Sequence, residues 1–275
     1  MFSVIILPAL LIGGLGLLFG IGLAYSANKF QVEVDPRVEM IIEALPGANC
    51  GACGMPGCAG YAEAIVHSGA SIDKCAPGGA ETAKKIADIM GAEAGAHEKR
   101  VAFIHCSSGG CNNTNLHYKY EGVGTCVSAI SYADGPNLCR WGCVFQNDCL
   151  RACPFGAITL DDNGMRIIDP ELCTACGKCV KACPRNLIEL VPFNNHDVHI
   201  VCSSHDKGPE AKRVCGSGKP CIGCGLCVKN CPVNAIRLEN NLAIIDYKIC
   251  TNCGKCATVC PTKCIIDTRG VQPSA

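Results

Sequence analysis

Twice in this chain a loop presents cysteines at the spacing C-x2-C-x2-C-x3-C-P: Cys221, Cys224, Cys227 and Cys231 before Pro232, then Cys250, Cys253, Cys256 and Cys260 before Pro261. Three closely spaced thiolates from one such loop can hold three corners of a 4Fe-4S cubane, while the fourth cysteine reaches the other cluster of a pair. Crossed ligation then assigns Cys221, Cys224, Cys227 and Cys260 to one 4Fe-4S cluster, and Cys231, Cys250, Cys253 and Cys256 to another. Gly223, Gly225 and Gly254 permit tight turns that leave amides free to hydrogen-bond sulfur. Zinc held by four thiolates is the competing reading of paired C-x2-C motifs, although a doubled run with a strand-turn-strand spacer is the pattern of paired clusters. The chain has 26 cysteines in 275 residues, and such tight spacing disfavours a disulfide framework, which needs wider separations.

An upstream stretch repeats this module. Residues 152–184, ACPFGAITLDDNGMRIIDPELCTACGKCVKACP, match residues 230–261, NCPVNAIRLENNLAIIDYKICTNCGKCATVCP. Each copy has a Cys-Pro, an Ala-Ile opening a short strand, a turn, a second strand ending in Ile-Asp, and another cysteine run. The upstream copy contains one normal run, Cys173, Cys176, Cys179 and Cys183, and one altered run, Cys139, Cys143, Cys149 and Cys153, spaced C-x3-C-x5-C-x3-C-P. The same crossing predicts one cluster on Cys153, Cys173, Cys176 and Cys179, and one on Cys139, Cys143, Cys149 and Cys183. Trp141 and Phe145 are placed to shield the latter from water, with plain core packing as the alternative.

Nearer the N-terminus, Cys50, Cys53, Cys58 and Cys75 form C-x2-C-x4-C-x16-C, three ligands on a glycine-rich turn and a fourth after a helix, a candidate for a single 4Fe-4S cluster. Cys106, Cys111 and Cys126, with Cys202 or Cys215, are the candidate ligands of a sixth cluster, His105 being an alternative ligand and inert packing thiols the alternative reading. Cys264 stands where the repeat has Ala157 and Ala235 and is expected to be a small buried residue.

The elements that must position these residues follow from patterning. Val4 to Tyr25 carries no charge and, at about 1.5 Å per residue, is long enough to cross a hydrocarbon core of about 30 Å. It reads as a transmembrane helix rather than a signal peptide, which would begin with basic residues. Lys29 and Arg37 follow the span, so the N-terminus is expected outside and the cysteine-rich remainder in the cytoplasm. Gly16 and Gly20 form a GxxxG pair suited to docking another membrane helix, and Pro8 is tolerated near the helix start. Pro36 starts one helix, a second ends on Gly91, residues 91–98 form a linker, and VAFIHC is a strand.

The expected fold is α+β. A transmembrane anchor occupies 1–28 and a small helical 4Fe-4S domain 29–98; a connecting region spans 99–135. Two tandem bacterial-type ferredoxin-like modules, each for two 4Fe-4S clusters, span 136–192 and 218–275, separated by an inter-module segment over 193–217. With 24 basic and 24 acidic side chains there is no electrostatic case for a nucleic-acid partner. The soluble region shows no nucleophile-base pair, phosphate loop, flavin site or nicotinamide site. Lys178, Lys181, Lys229 and Lys255 could attract an acidic partner, solvated surface being the alternative.

The N-terminal span, ALPGANCGACGMPGCAGYAEAI with Cys75, and the ferredoxin repeats together resemble the B subunit of the Rnf electron-transport complex over nearly the whole chain. GPNLCRWGCVFQNDCLRACPFGAI and VCSSHDKGPEAKRVC resemble the longer, cysteine-rich forms of anaerobic bacteria. That resemblance implies a chain in the cytoplasmic membrane. It would accept electrons from reduced ferredoxin and relay them to flavin- and cluster-bearing partner subunits toward NAD, coupled to Na+ or H+ movement. Five clusters are assigned, six with the extra cysteines, and the enzymatic activity belongs to the assembly. A polyferredoxin subunit of a hydrogenase or formate-oxidising complex, and a zinc-stabilised membrane scaffold, are the alternatives.

Overall fold

The computed structural model describes residues 2–29, 35–93, 99–112, 114–193 and 197–269, and within the first helix the side chains of 12–26 and Lys29. That helix, α1 (Phe2–Lys29), is continuous. Among the described residues no helix is long and apolar enough to cross a membrane. Much of the expected span, Pro8 included, lies outside the described side chains, as do the link over 30–34 and most of the expected linker over 91–98. The described part of α1 is exposed throughout, including Leu15, Leu18, Phe19 and Leu23, and nothing lies within 4 Å of a side chain built at Gly16 or Gly20.

Three helices form the next unit: α2 (Pro36–Ala44), α3 (Gly57–Ser68) and α4 (Gly79–Met90). Asp35 caps α2 by accepting from the Arg37 amide at 2.9 Å, and Pro36 stands at its first turn, where a missing N–H costs nothing. Gly91 ends α4 in the left-handed conformation, φ 64°, as its position after the apolar pattern predicts. Val38, Ile41, Tyr61, Ile65 and Ile86 make a compact core against which Cys53, Cys58 and Cys75 pack.

The remainder alternates short strands and one-turn helices: β1 (Arg100–Ile104), α5 (Cys126–Ser131), α6 (Asp148–Ala152), β2 (Ile158–Leu160), β3 (Arg166–Ile168), α7 (Lys178–Ala182) and β4 (Ile188–Pro192). After these come β5 (Val198–Ile200), α8 (Gly208–Val214), α9 (Leu226–Lys229), β6 (Ile236–Glu239), β7 (Leu242–Ile245), α10 (Lys255–Thr258) and β8 (Ile265–Asp267). The repeat is visible as two hairpins in the expected places, β2 with β3 and β6 with β7. Two further antiparallel pairings join strands far apart in sequence: β1 with β4, Ile104 opposite Ile188, and β5 with β8, Ile200 opposite Ile265. Each module thus recruits a strand from the segment preceding it, and the expected boundaries at 136 and 218 cut across these pairings.

Apolar cores in both modules are small, and their cysteines are part of them. Cys221, Cys227, Cys256 and Cys264 pack with Val198, Ile236 and Ile245, and Cys149 and Cys179 with Ala102, Ile158 and Ile188. Domains this small bury too little apolar surface to be robust without a staple, which bound metal can supply.

Candidate metal centres

Each ligand loop is built in the same way. Asn147, Gly177, Gly225 and Gly254 adopt left-handed backbone, φ 65–75°, and a one-turn helix follows whose second residue is Cys149, Cys179, Cys227 or Cys256. Those four thiols are buried. The prolines after Cys153 and Cys183 hold these two residues extended as the C-caps of α6 and α7, while α9 and α10 end two residues before Cys231 and Cys260. The amide four residues on then turns back to sulfur: Leu187 donates to Cys183 Sγ at 3.4 Å, Ala235 to Cys231 at 3.3 Å and Cys264 to Cys260 at 3.3 Å. Hydrogen bonds of this kind tune the potential of a bound cluster.

Three hollows gather predicted ligand sets. Cys221, Cys224, Cys227 and Cys260 line a space of about 360 Å³ beside Ile200 of β5. In the first module Cys153, Cys173, Cys176 and Cys179 line about 330 Å³ beside Ala102 of β1, whose amide donates to Cys173 Sγ at 3.4 Å. In the helical unit Cys50, Cys53, Cys58 and Cys75 line about 310 Å³. There the Cys58 amide donates to Asn49 Oδ1 at 2.8 Å, and Tyr61 pins the loop before Cys75 by donating to Ser71 O at 2.7 Å and accepting from the Lys74 amide at 3.1 Å. Gly57, at φ 86°, must be glycine because a Cβ would come within 2.8 Å of Asn49 Oδ1. Cys231, Cys250 and Cys256 share the second module's core, with Cys253 exposed nearby in the run.

The set expected on the altered run is not gathered as predicted. Cys139 lines a different hollow, about 380 Å³, together with Cys106, Cys202, Cys215 and Trp141. Trp141 therefore faces this space and not Cys149, and its Nε1 donates to Asp206 Oδ1 at 3.1 Å. Cys143, Cys149 and Cys183 are accompanied by Cys126: Cys149 lies within electrostatic reach of Cys126 and Cys183, and Cys143 within reach of Cys149. The physical reason is in the chain path. Cys139 precedes the ligand loop, outside the left-handed turn and helix that fix the cysteine positions, while α5 brings Cys126 to that loop. Of the candidates for a sixth cluster, Cys111 is exposed beside the β2–β3 turn, 3.6 Å from Asn163 O, and joins none of these groups.

A constant offset of 78 residues carried upstream contains the signal that separates these roles. Cys153, Cys149 and Cys143 fall opposite Cys231, Cys227 and Cys221, but Gln146 falls opposite Cys224. Thus the first module carries Gln146 where the second has Cys224, and Cys139 falls opposite Ser217.

Geometry distinguishes the kind of metal group these residues fit. Four thiolates around one zinc, with Zn–S about 2.3 Å, would stand about 3.8 Å apart. Among the described residues no group of three or more His, Cys, Asp or Glu is gathered closely enough to hold a metal ion; the thiols instead ring open hollows in fours. Buried Arg166 reaches Gly164 O at 2.9 Å and the Asn147 side chain, and its Nε has no hydrogen-bond partner among the described residues. Its charge bears on Cys143 and Cys149, where an anionic thiolate cluster would balance it.

Burial pushes the thiols of Cys139, Cys143 and Cys179 up to about 12, and those of Cys227 and Cys256 to about 11. These groups bind metal as thiolates, so loading releases protons. Cys221 and Cys202 move the opposite way, to about 6 and about 7, because the Cys264 thiol, itself pushed upward, stands between them and can give its single proton to either sulfur. Cys264 is buried as expected, but it is also a polar link between the hollow it lines and the one at Cys202.

Three family profiles match along the chain: "Putative Fe-S cluster" over residues 45–77, "4Fe-4S binding domain" over 166–189 and "4Fe-4S dicluster domain" over 220–264. Over 90% of its length the chain is 46% identical to the B subunit of the Na(+)-translocating ferredoxin:NAD(+) oxidoreductase complex of Acetobacterium woodii, covering 73% of that protein. The chain belongs to this B-subunit family. Two further members are the B subunit of the ion-translocating oxidoreductase complex of Methanosarcina acetivorans, 41% identical over 79% of this chain and 82% of that protein, and its counterpart in the proton-translocating ferredoxin:NAD(+) oxidoreductase complex of Clostridium ljungdahlii, 40% identical over 86% and 82%. Relatives from Tolumonas auensis and Aeromonas hydrophila match over only 37% of this chain. The family resemblance of the motifs and the iron-sulfur reading of the cysteines therefore rest on independent matches.

Proposed function

We propose that this B-subunit family member is the iron-sulfur electron relay of an ion-translocating ferredoxin:NAD(+) oxidoreductase, taking electrons from reduced ferredoxin and handing them to partner subunits. The carrying observation is that a chain 46% identical to the B subunit of such a complex gathers its cysteines into four-thiol hollows of about 310–380 Å³. A 4Fe-4S cluster bound there supplies one-electron transfer. The chain's residues supply ligands, amides aimed at sulfur, and apolar walls that exclude water.

Ligation by Cys50, Cys53, Cys58 and Cys75, by Cys153, Cys173, Cys176 and Cys179, and by Cys221, Cys224, Cys227 and Cys260 is supported by their shared hollows. A set of Cys231, Cys250, Cys253 and Cys256 is supported by the repeat. Helix α1, uncharged as far as Lys29, is proposed as the membrane anchor, N-terminus outside, since exposed Leu18, Phe19 and Leu23 need an apolar neighbour. Relatives' names include both sodium and proton translocation, so family membership carries ion coupling without its ion.

Anaerobic purification of the full chain, followed by metal analysis and mixing with chemically reduced ferredoxin, tests the reading. Iron and sulfide in equal amounts and reduced-cluster EPR signals after mixing are expected. Zinc in place of iron, or clusters that stay oxidised with ferredoxin in excess, would overturn it.

A further inference from the structure

We infer that Cys106, Cys139, Cys202 and Cys215 ligate a 4Fe-4S cluster of their own at the seam between the two modules, and that Cys126 replaces the missing middle ligand of the first module, completing a set with Cys143, Cys149 and Cys183. This rests on the iron-sulfur reading above and goes beyond it in assigning each ligand.

The seam site is assembled by equivalent pieces of the two halves. Cys106 follows β1 by two residues and Cys202 follows β5 by two, and each is succeeded by Ser-Ser. Cys139 and Cys215 each precede the first cysteine of a ligand loop, Cys143 and Cys221. Contacts between the halves hold the two strand ends together: Ser203 Oγ donates to His105 O at 2.8 Å, His105 Nδ1 meets Ile200 O at 2.7 Å, and the Phe103 and His199 rings stack at 4.2 Å.

Polar groups aim at the sulfurs as in the other sites. The Cys143 amide donates to Cys106 Sγ at 3.5 Å, the Ser204 amide to Cys202 Sγ at 3.4 Å, and Cys215 Sγ meets Ser217 Oγ at 3.4 Å. The hollow is ringed by four cysteines, as are the two spaces ringed by ferredoxin-type ligands, so one class of occupant fits all three.

Cys126 is delivered independently. Thr125 caps α5 through the Ser128 amide at 3.2 Å, and the Cys126 amide donates to Asp148 Oδ2 at 2.8 Å, tying the start of α5 to the start of α6. Its sulfur then accepts from the backbone amide of Gln146, the residue opposite Cys224 in the repeat. The thiol missing from the loop is thereby restored from outside it. Six sets of four use 24 of the 26 cysteines, leaving exposed Cys111 and buried Cys264.

Iron counting on anaerobically purified full-chain variants separates this assignment from placement of Cys139 on the altered run. About 24 Fe per chain is expected without substitution, and a loss of about four Fe for Cys139→Ala. Cys139→Ala with Cys143→Ala should lose about eight Fe because two clusters go, while Cys139→Ala with Cys202→Ala should still lose only about four. The reverse pattern overturns the assignment, and zinc without iron in the unsubstituted chain would instead overturn the reading beneath it. Alkylation of the unsubstituted chain with clusters intact needs no variant to fold: Cys111 should be labelled alone, and labelling of Cys126 or Cys139 to the same extent overturns the proposal.

Discussion

The two ferredoxin-like modules share hairpins, ligand helices and a recruited strand, yet they differ in where their thiols come from. The second draws its ligand runs from its own loops, Cys221 to Cys231 and Cys250 to Cys260. The first has Gln146 where the second has Cys224, and α5 sets Cys126 against that position. They differ also in charge. Ile-Ile-Asp in the two copies aligns Arg166 with Ala243, so only the first module buries a guanidinium beside its ligands. A duplicated module can therefore keep its backbone and diverge in ligand source and local field, which are what set a cluster's potential.

The largest effect is expected from making the first module like the second. Cys126→Ala should lose about four Fe, and adding Gln146→Cys should restore them, measured as iron per chain after anaerobic purification. No rescue would show that the two loops are not equivalent at that position.

A smaller effect is expected from Arg166→Met, which removes the buried charge without opening a large space. The cluster on Cys143, Cys149 and Cys183 should shift to more negative potential, and the second module should not respond. If the charge-assisted interaction contributes about 1.5–3 kcal/mol, the shift is about 60–130 mV in an EPR-monitored titration.

Smallest is Cys264→Ala, which installs in the last run the residue found at Ala157 and Ala235. Removing one neutral thiol donor, worth about 0.5–1.5 kcal/mol, should lower the potential of the site, that of Cys202 or that of Cys221, to which its single proton is given, by about 20–60 mV. The iron content should be unchanged. A shift in neither would mean that Cys264 donates to neither sulfur.

Much of this architecture is legible in residue order, because local rules act over a few positions. Cys-Pro ends a helix, glycine or asparagine permits the left-handed turn before a ligand helix, and the repeated strand-turn-strand pattern forms β2–β3 and β6–β7. The helices around Cys50 to Cys75 follow from Pro36, Gly91 and apolar spacing for the same reason. Spacing alone counts Cys139 into the altered run, since a run of four cysteines can be counted in more than one register, whereas the fold sets Cys139 beside Cys106, Cys202 and Cys215. The upstream alignment of Gln146 with Cys224 marks the missing ligand but does not say which thiol replaces it.

That choice belongs to long-range packing. Pairing of β1 with β4 and of β5 with β8 carries Cys106 and Cys202, 96 residues apart, to one hollow, and α5 reaches the first ligand loop through Asp148. Residue order settles the chemistry, a chain of thiolates for iron-sulfur clusters, because ligand type and short loops are local properties. Which four sulfurs meet is left to the fold, because burying apolar strand faces between the halves is a long-range requirement that no cysteine spacing encodes.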